Sequence, residues 1–184
     1  QIILDTKQMN KIIHWDSESG EIIVEPGVTI ASILKLSLLH NRVLASIPGG
    51  MDVTVGGAIS NNVHGKDAWR NGNFGDHVIS MKLLLSSGNK IEVSRNNNTE
   101  LFYAVIGGMG LLGIIIEAKL QLQKIPSSYV EVSSTHSRDI NESIDLLEKS
   151  EENSDFSVAW VDSFSKEPGI GRGYISYGKW LETD

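Results

Sequence analysis

Pro48–His77, PGGMDVTVGGAISNNVHGKDAWRNGNFGDH, decides how the rest of the chain is read. Seven of the chain's 18 glycines fall in it, among Ala58, Ser60, Asn61, Asn62 and His64. Side chains this small offer little apolar surface to bury. Glycine, however, lets a backbone approach a ligand closely and reach positive φ. Successive amides in such a loop cradle phosphates, and Gly56 to Asn62 is expected to supply a consecutive set beside the tight turn Pro48-Gly49-Gly50. A hydrogen bond to a charged group contributes about 1.5–3 kcal/mol, so three or four amides could hold a pyrophosphate without arginine. The competing reading is a set of turns between strands.

Outward from this segment the pattern is mixed α+β. Glu21–Glu25 is a β-branched run closed by Pro26-Gly27, and Thr29 caps a helix with Ile30, Ile33, Leu34 and Leu38 at helical spacing before Asn41. Val43–Ile47 reads as a strand leading into the glycines. Val78–Leu85 and Lys90–Val93 flank Ser86-Ser87-Gly88-Asn89, a hairpin signature. Thr99–Ile106 reads as a short helix. From Gly113 to Gln123 the alternation is strict, with Ile114, Ile116, Ala118, Leu120 and Leu122 on one face and Glu117, Lys119, Gln121 and Gln123 on the other. After Ile125-Pro126 the composition turns polar, and a helix over Ile140–Lys149 precedes strands at Phe156–Phe164 and Gly173–Trp180. The expected organisation is residues 1–126 and 127–184.

Gly108, Gly110 and Gly113 spell G-x-G-x-x-G, but a helix precedes them and a strand follows. A Rossmann site needs the reverse order, so that a helix N-terminus meets the pyrophosphate. No G-x-x-x-x-G-K-[ST] loop is present. The net charge of −7 argues against a nucleic-acid partner. The absence of cysteine removes disulfides and thiolate metal ligands and fits a reducing, cytoplasmic setting. No apolar run reaches the roughly 20 residues of a membrane span. His64, Asp67, Asp76 and His77 have no metal-ligand spacing, so no metal is expected. Gln1 is not an initiator methionine, and both ends read as cut from something longer.

The runs PGG-x3-TVGGAISNNVHGK, GNFGDHV-x-SMKLLLSSG and TELFYAVIGGMGLLGII resemble FAD-linked oxidases of the vanillyl-alcohol oxidase / p-cresol methylhydroxylase (PCMH) type. Within them the chain is most similar to decaprenylphosphoryl-ribose 2-oxidases and the aldonolactone and alditol oxidases. VAWVDSF and GIGRG resemble the start of the family's substrate domain. The resemblance implies an α+β fold: the second subdomain of a PCMH-type FAD-binding domain, with a mixed or antiparallel sheet and flanking helices, over residues 1–126, and the beginning of a substrate domain over 127–184. It implies Pro48, Gly49 and Gly50 near the pyrophosphate, and Val53, Gly56, Gly57, Ala58, Asn61, Asn62 and Gly65 lining FAD. His64 and Lys66 would lie near the isoalloxazine and substrate, and Gly113 and Ile116 near the adenine or ribitol.

The implied activity is oxidation of a carbinol of a sugar-like or alcohol substrate by hydride transfer to FAD. That substrate is a small molecule that could be lipid-linked, placing the parent protein at a membrane periphery. The family's N-terminal Gly-x-Gly-x-Ser-type loop has no counterpart here, so the chain alone is expected to be inactive. Two other readings stand beside it: a nucleotide- or sugar-phosphate-binding module without redox activity, and an NADPH-dependent FAD reductase of the same fold.

Overall fold

The strand with the plainest alternation organises the first half of the molecule. The computed structural model describes residues 3–182, and the chain divides into two compact units, Gln1–Lys124 and Ile125–Asp184. In the first, β1 (Ile12–Trp15), β2 (Glu21–Val24), β3 (Arg42–Leu44), β4 (Val78–Leu84), β5 (Lys90–Ser94) and β6 (Ile114–Lys124) form one antiparallel sheet. Its order is β1-β2-β6-β4-β5, and β3 pairs with the end of β6 beyond β2, so that Leu44 faces Leu122 and Ile22 faces Leu120. Among the described residues, four α-helices accompany it: α1 (Ile30–Ser37), α2 (Val55–Ser60), α3 (Ala68–Asn71) and α4 (Thr99–Val105).

The sheet has a wet and a dry face, as its period of two dictates. On the wet face Lys82 and Glu117, cross-strand partners, meet at 2.8 Å, and Lys119 reaches Glu21 at 2.8 Å. On the dry face Ile22, Val24, Met81, Leu83, Ala118, Leu120 and Leu122 pack with Ile30 and Ile33 of α1, Val55, Ala58 and Ile59 of α2, and Phe102 and Val105 of α4. Burying a side chain such as Phe102 fully contributes about 1.5–3 kcal/mol.

Three sequence expectations are corrected here. The glycine segment is not a bare loop: Thr54 caps α2, its hydroxyl accepting from the Gly57 amide, and Val55, Ala58 and Ile59 are wholly buried. The i, i+3, i+4 spacing of those three, together with the cap, is the signal the glycines obscured. The strand from Val43 ends at Leu44, because Ser46 turns the backbone to φ 59°. The alternation of β6 holds from Ala118 to Leu122 but not before. Lys82 faces Glu117 while Leu83 faces Ile115, so Ile116 is the extra residue of a β-bulge. The bulge reverses the parity and buries Ile115.

In the second unit β7 (Val130–Ser137), β9 (Gly173–Trp180) and β8 (Phe156–Val161) form an antiparallel sheet in that order, with α5 (Ile140–Glu151) against it. Asp139 caps α5 by accepting from the Glu142 amide. The Ser143 hydroxyl donates to Ser137 Oγ at 2.7 Å beneath the helix, and Ile175 is fully buried. Tyr174, Trp160 and Val132 lie on the opposite face by strand parity and are exposed. The two units are both α+β, with antiparallel sheets and flanking helices.

Candidate functional site

The first unit holds a cleft of about 700 Å³, within the range of small-molecule and cofactor sites. Its floor is the cleft side of α2, Gly56, Gly57, Ser60 and Asn61, with Thr54 and Pro26 at one end. Met109, Gly110, Gly113, Ile114 and Ile115 form a second wall, and residues 3–7 a third. The lining is mainly small and polar, with Asp5 and Lys7 charged and Ile3, Leu4, Pro26, Met109, Ile114 and Ile115 apolar, which suits a ligand with both polar and apolar parts.

Pairing of the two helix starts builds the floor. Thr29 and Thr54 form an isolated antiparallel bridge. The amides of Ile30 and Ala31 donate to the carbonyls of Val53 and Met51, and those of Val55 and Gly56 donate to Val28 and Pro26. A Cβ on Gly56 would stand 2.9 Å from Pro26 Cβ, so glycine is required there for the two loops to touch. A Cβ on Gly57 would meet only Thr54 Oγ1, at 3.2 Å. The smallness of Gly57 is thus unused by the protein's own packing and leaves the cleft floor low.

This exchange changes the expected phosphate chemistry. The amides of Gly56, Gly57, Ala58, Asn61 and Asn62 all donate to Pro26, Thr54, Gly57 or Ile59 within the chain. They are not a ready cradle, because helix formation and the bridge with Thr29 have consumed them. The amides of Gly49 and Gly50, by contrast, donate to no group among the described residues.

Of the residues singled out in the sequence, Gly56, Gly57, Asn61 and Gly113 come together in the cleft. Ala58 faces the core. Asn62, at φ 43°, accepts from the Gly75 amide through Oδ1 and ties two loops. Pro48 is buried and Val53 half-buried, beside the exposed Gly49. Ile116 sits at the bulge, and its neighbours Ile114 and Ile115 line the cleft instead. His64 and Lys66 are exposed on the segment that leaves the end of α2, flanking half-buried Gly65. The helix covers about 9 Å at 1.5 Å per residue, so it connects the cleft floor to that segment. Ser60, within the Gly56–Asn62 run, also lines the cleft, and Thr54 and Gly110 are lining residues the sequence reading missed; the cap pattern at Thr54 was the signal for the first of these.

His77 and Asp76 are committed to structure. The His77 Nε2 lies 2.7 Å from the Asn71 carbonyl, and Asp76 accepts from the Asn73 amide. Among the described residues no three His, Asp or Glu side chains gather as a metal-binding group, and no helix is long and apolar enough to cross a membrane.

Comparison with known proteins gives a consistent result. Residues 1–94 match the family described as FAD binding domain. The decaprenylphosphoryl-beta-D-ribose oxidase of Mycolicibacterium smegmatis is 34% identical over 185 residues, covering 100% of this chain and 40% of the relative. The L-gulonolactone oxidase of Bos taurus is 27% identical, covering 96% of this chain and 44% of the relative. A mitochondrial L-galactono-1,4-lactone dehydrogenase of rice is 30% identical over 73% of this chain and 24% of its own length. The chain therefore spans about two fifths of the length of the first two of these relatives.

Proposed function

The chain belongs to the FAD binding domain family, and on that premise we propose that residues 1–126 form part of the FAD site of an oxidoreductase. Its substrate in this reading is a sugar-like or alcohol molecule oxidised at a carbinol carbon. The observation that carries the reading is the glycine-floored cleft: Gly57, at an ordinary helical φ, lacks a Cβ that nothing in the protein's own packing forbids outright. The residues present fit FAD. In the cleft Thr54, Ser60 and Asn61 supply hydroxyl and amide groups, and Ile114, Ile115 and Met109 supply apolar contact; outside its lining, the Gly49 and Gly50 amides supply donors without partners among the described residues.

In this reading Gly49 and Gly50 donate to the pyrophosphate, while Gly56, Gly57, Asn61 and Gly113 shape the cleft. When bound, FAD supplies the acceptor for the hydride that leaves the carbinol carbon. An imidazole nitrogen of His64 orients the substrate hydroxyl and takes its proton. The Lys66 ammonium favours negative charge that builds up close to it. Val53, Ala58, Asn62, Gly65 and Ile116 act at one remove, holding the backbone that presents these groups. Residues 127–184 begin the substrate domain, and the parts of both sites outside this chain lie in the remainder of the full-length protein.

The sugar-like class is supported by what the relatives' names state, a lipid-linked ribose and two sugar lactones. A lipid-linked substrate would bring the protein to a membrane surface. The cysteine-free composition supports a reducing, cytoplasmic setting. The test is to purify the full-length protein, record its flavin absorption, and mix it anaerobically with a panel of sugar lactones, alditols and lipid-linked pentoses. Bleaching of the flavin by a member of the panel supports the reading. A flavin-free protein, or a flavin that none bleaches but NADPH does, overturns it in favour of the binding module or the reductase respectively.

A further inference from the structure

We propose that Asp67 is the positioning residue of the His64–Lys66 segment, a buried carboxylate that fixes the backbone from which both side chains project. The inference rests on the role given above to those two residues.

Asp67 is 1% exposed although it neighbours the exposed Lys66 in sequence. Its Oδ2 accepts from the amide of Ser46 at 2.9 Å and from the Asn71 side-chain amide at 2.9 Å. Its carbonyl accepts from the amides of Arg70 and Asn71, so the same residue opens α3. Ser46, fully buried at φ 59°, closes the circuit: its hydroxyl accepts from the Gly65 amide at 3.2 Å and donates to the Gly72 carbonyl at 2.9 Å. On the other flank the Val63 carbonyl accepts from the Phe74 amide. His64 and Lys66 thus leave a backbone pinned on both sides.

Gly65 fits this knot only without a side chain. A Cβ there would stand 2.4 Å from Asp67 Oδ1 and 2.7 Å from the Ile47 carbonyl oxygen. Asp67 Oδ1 is itself buried and has no hydrogen-bond partner among the described residues. A buried polar atom left unpaired costs free energy, by about 1–3 kcal/mol. The carboxylate that bears it sits under the one residue separating the two proposed site side chains.

The two possible effects of Asp67 on a bound flavin have opposite signs. Removing a buried negative charge would by itself raise the flavin reduction potential. Releasing Lys66 and His64 from their positions would lower it, because positive charge and donors near the flavin favour the reduced, anionic form. The experiment measures the potential of the FAD-loaded full-length protein as wild type, Asp67→Ala, Asp67→Asn, the double variant His64→Ala/Lys66→Ala, and the triple variant that adds Asp67→Ala to it. Amide exchange at Gly65 is followed alongside.

The expected result is a potential in Asp67→Ala below that of Asp67→Asn, a lowered one in the double variant, no further lowering in the triple variant, and at least tenfold faster Gly65 exchange in Asp67→Ala. Asp67→Asn keeps an acceptor for Ser46 and does not lower the potential. A potential in Asp67→Ala equal to that of Asp67→Asn, which loses the same charge, beside a lowered one in the double variant overturns the positioning role alone. An unchanged potential in the double variant overturns the role of His64 and Lys66 and with it this inference. If Asp67→Ala fails to fold, Asn71→Ala removes one of the two bonds to Oδ2, and it is expected to give the same signs at smaller size; an unchanged potential there counts against the proposal.

Discussion

Thr29 and Thr54 cap two helices with nearly the same backbone geometry, φ −85° and ψ 154° against φ −86° and ψ 154°, and form an antiparallel bridge with each other. Each hydroxyl accepts an amide of its own helix, from Ser32 and Gly57 respectively, and the backbone amides that follow each cap donate across to the other loop. The cleft floor is therefore a by-product of two helix starts that satisfy one another. Loss of an N-cap side chain costs about 1 kcal/mol. Thr54→Ala is expected to lower stability by that order, read from the urea midpoint of the full-length protein. No measurable change would mean that the bridge holds α2 without its cap.

Gly56 and Gly57 are adjacent, yet their substitutions should separate stability from binding. Gly56→Ala drives a methyl to 2.9 Å from Pro26 Cβ, so destabilisation of about 1–3 kcal/mol is expected. Gly57→Ala meets only Thr54 Oγ1, at 3.2 Å. Alanine's advantage of about 1 kcal/mol within a helix offsets that contact. Its thermal midpoint should stay near wild type while FAD affinity falls. Equal loss of stability in both variants would contradict the assignment of Gly57 to the cleft surface.

His64 and Lys66 are exposed, and substitution of an exposed residue typically changes stability by no more than about 0.5 kcal/mol. His64→Ala is nevertheless expected to slow anaerobic flavin reduction by substrate about 10²–10⁴-fold, the size of a general-base contribution. Stopped-flow bleaching checks this. A variant with unaltered bleaching rate would remove His64 from the proton-transfer role.

Two carboxylates of the second unit are held below their ordinary range. The Arg138 side chain at 2.9 Å, then its amide, lowers Glu142; the Phe164 amide, then Arg172, lowers Asp162. A group with a depressed folded pKa contributes stability above its unfolded value and loses it as pH falls through the folded value. The second unit should therefore weaken below about pH 4. Glu142→Gln should flatten that part of the profile, in denaturation midpoints taken from about pH 6 to about pH 3. An identical slope in the variant would show the pair to be energetically silent, as exposed pairs often are.

Much of the architecture is legible because local chemistry and long-range packing agree. The alternation from Ala118 to Leu122 places β6 at the centre of its sheet, and Thr29 with Ile30 and Ile33 marks α1. Legibility fails where a partner strand decides. Nothing local tells Ile116 that it will be the unpaired residue opposite Lys82 and Leu83, so the burial of Ile115 could not be read. The edge strands β1 and β7 lack a clean dry face, Ile12, Ile13 and Val132 being exposed, and their pattern carried no strand signal. Within the candidate site, glycine density marked two residues that line the cleft, Gly56 and Gly57. It could not show that the Gly56 and Val55 amides are taken by Pro26 and Val28, 30 and 27 residues earlier in the chain. The same long-range effect hides the knot around Asp67, whose partner Ser46 lies in a different segment.

The central claim is that the cleft floored by Gly57 holds FAD, and it is tested most directly by equilibrium titration of the deflavinated full-length protein with FAD, followed through quenching of flavin fluorescence, for wild type and Gly57→Leu. The expected result is saturable binding with one FAD per chain, weakened at least tenfold, or about 1.4 kcal/mol, by the leucine side chain in a protein that still unfolds cooperatively. Absence of saturable binding, or equal affinity in a folded Gly57→Leu variant, would contradict it.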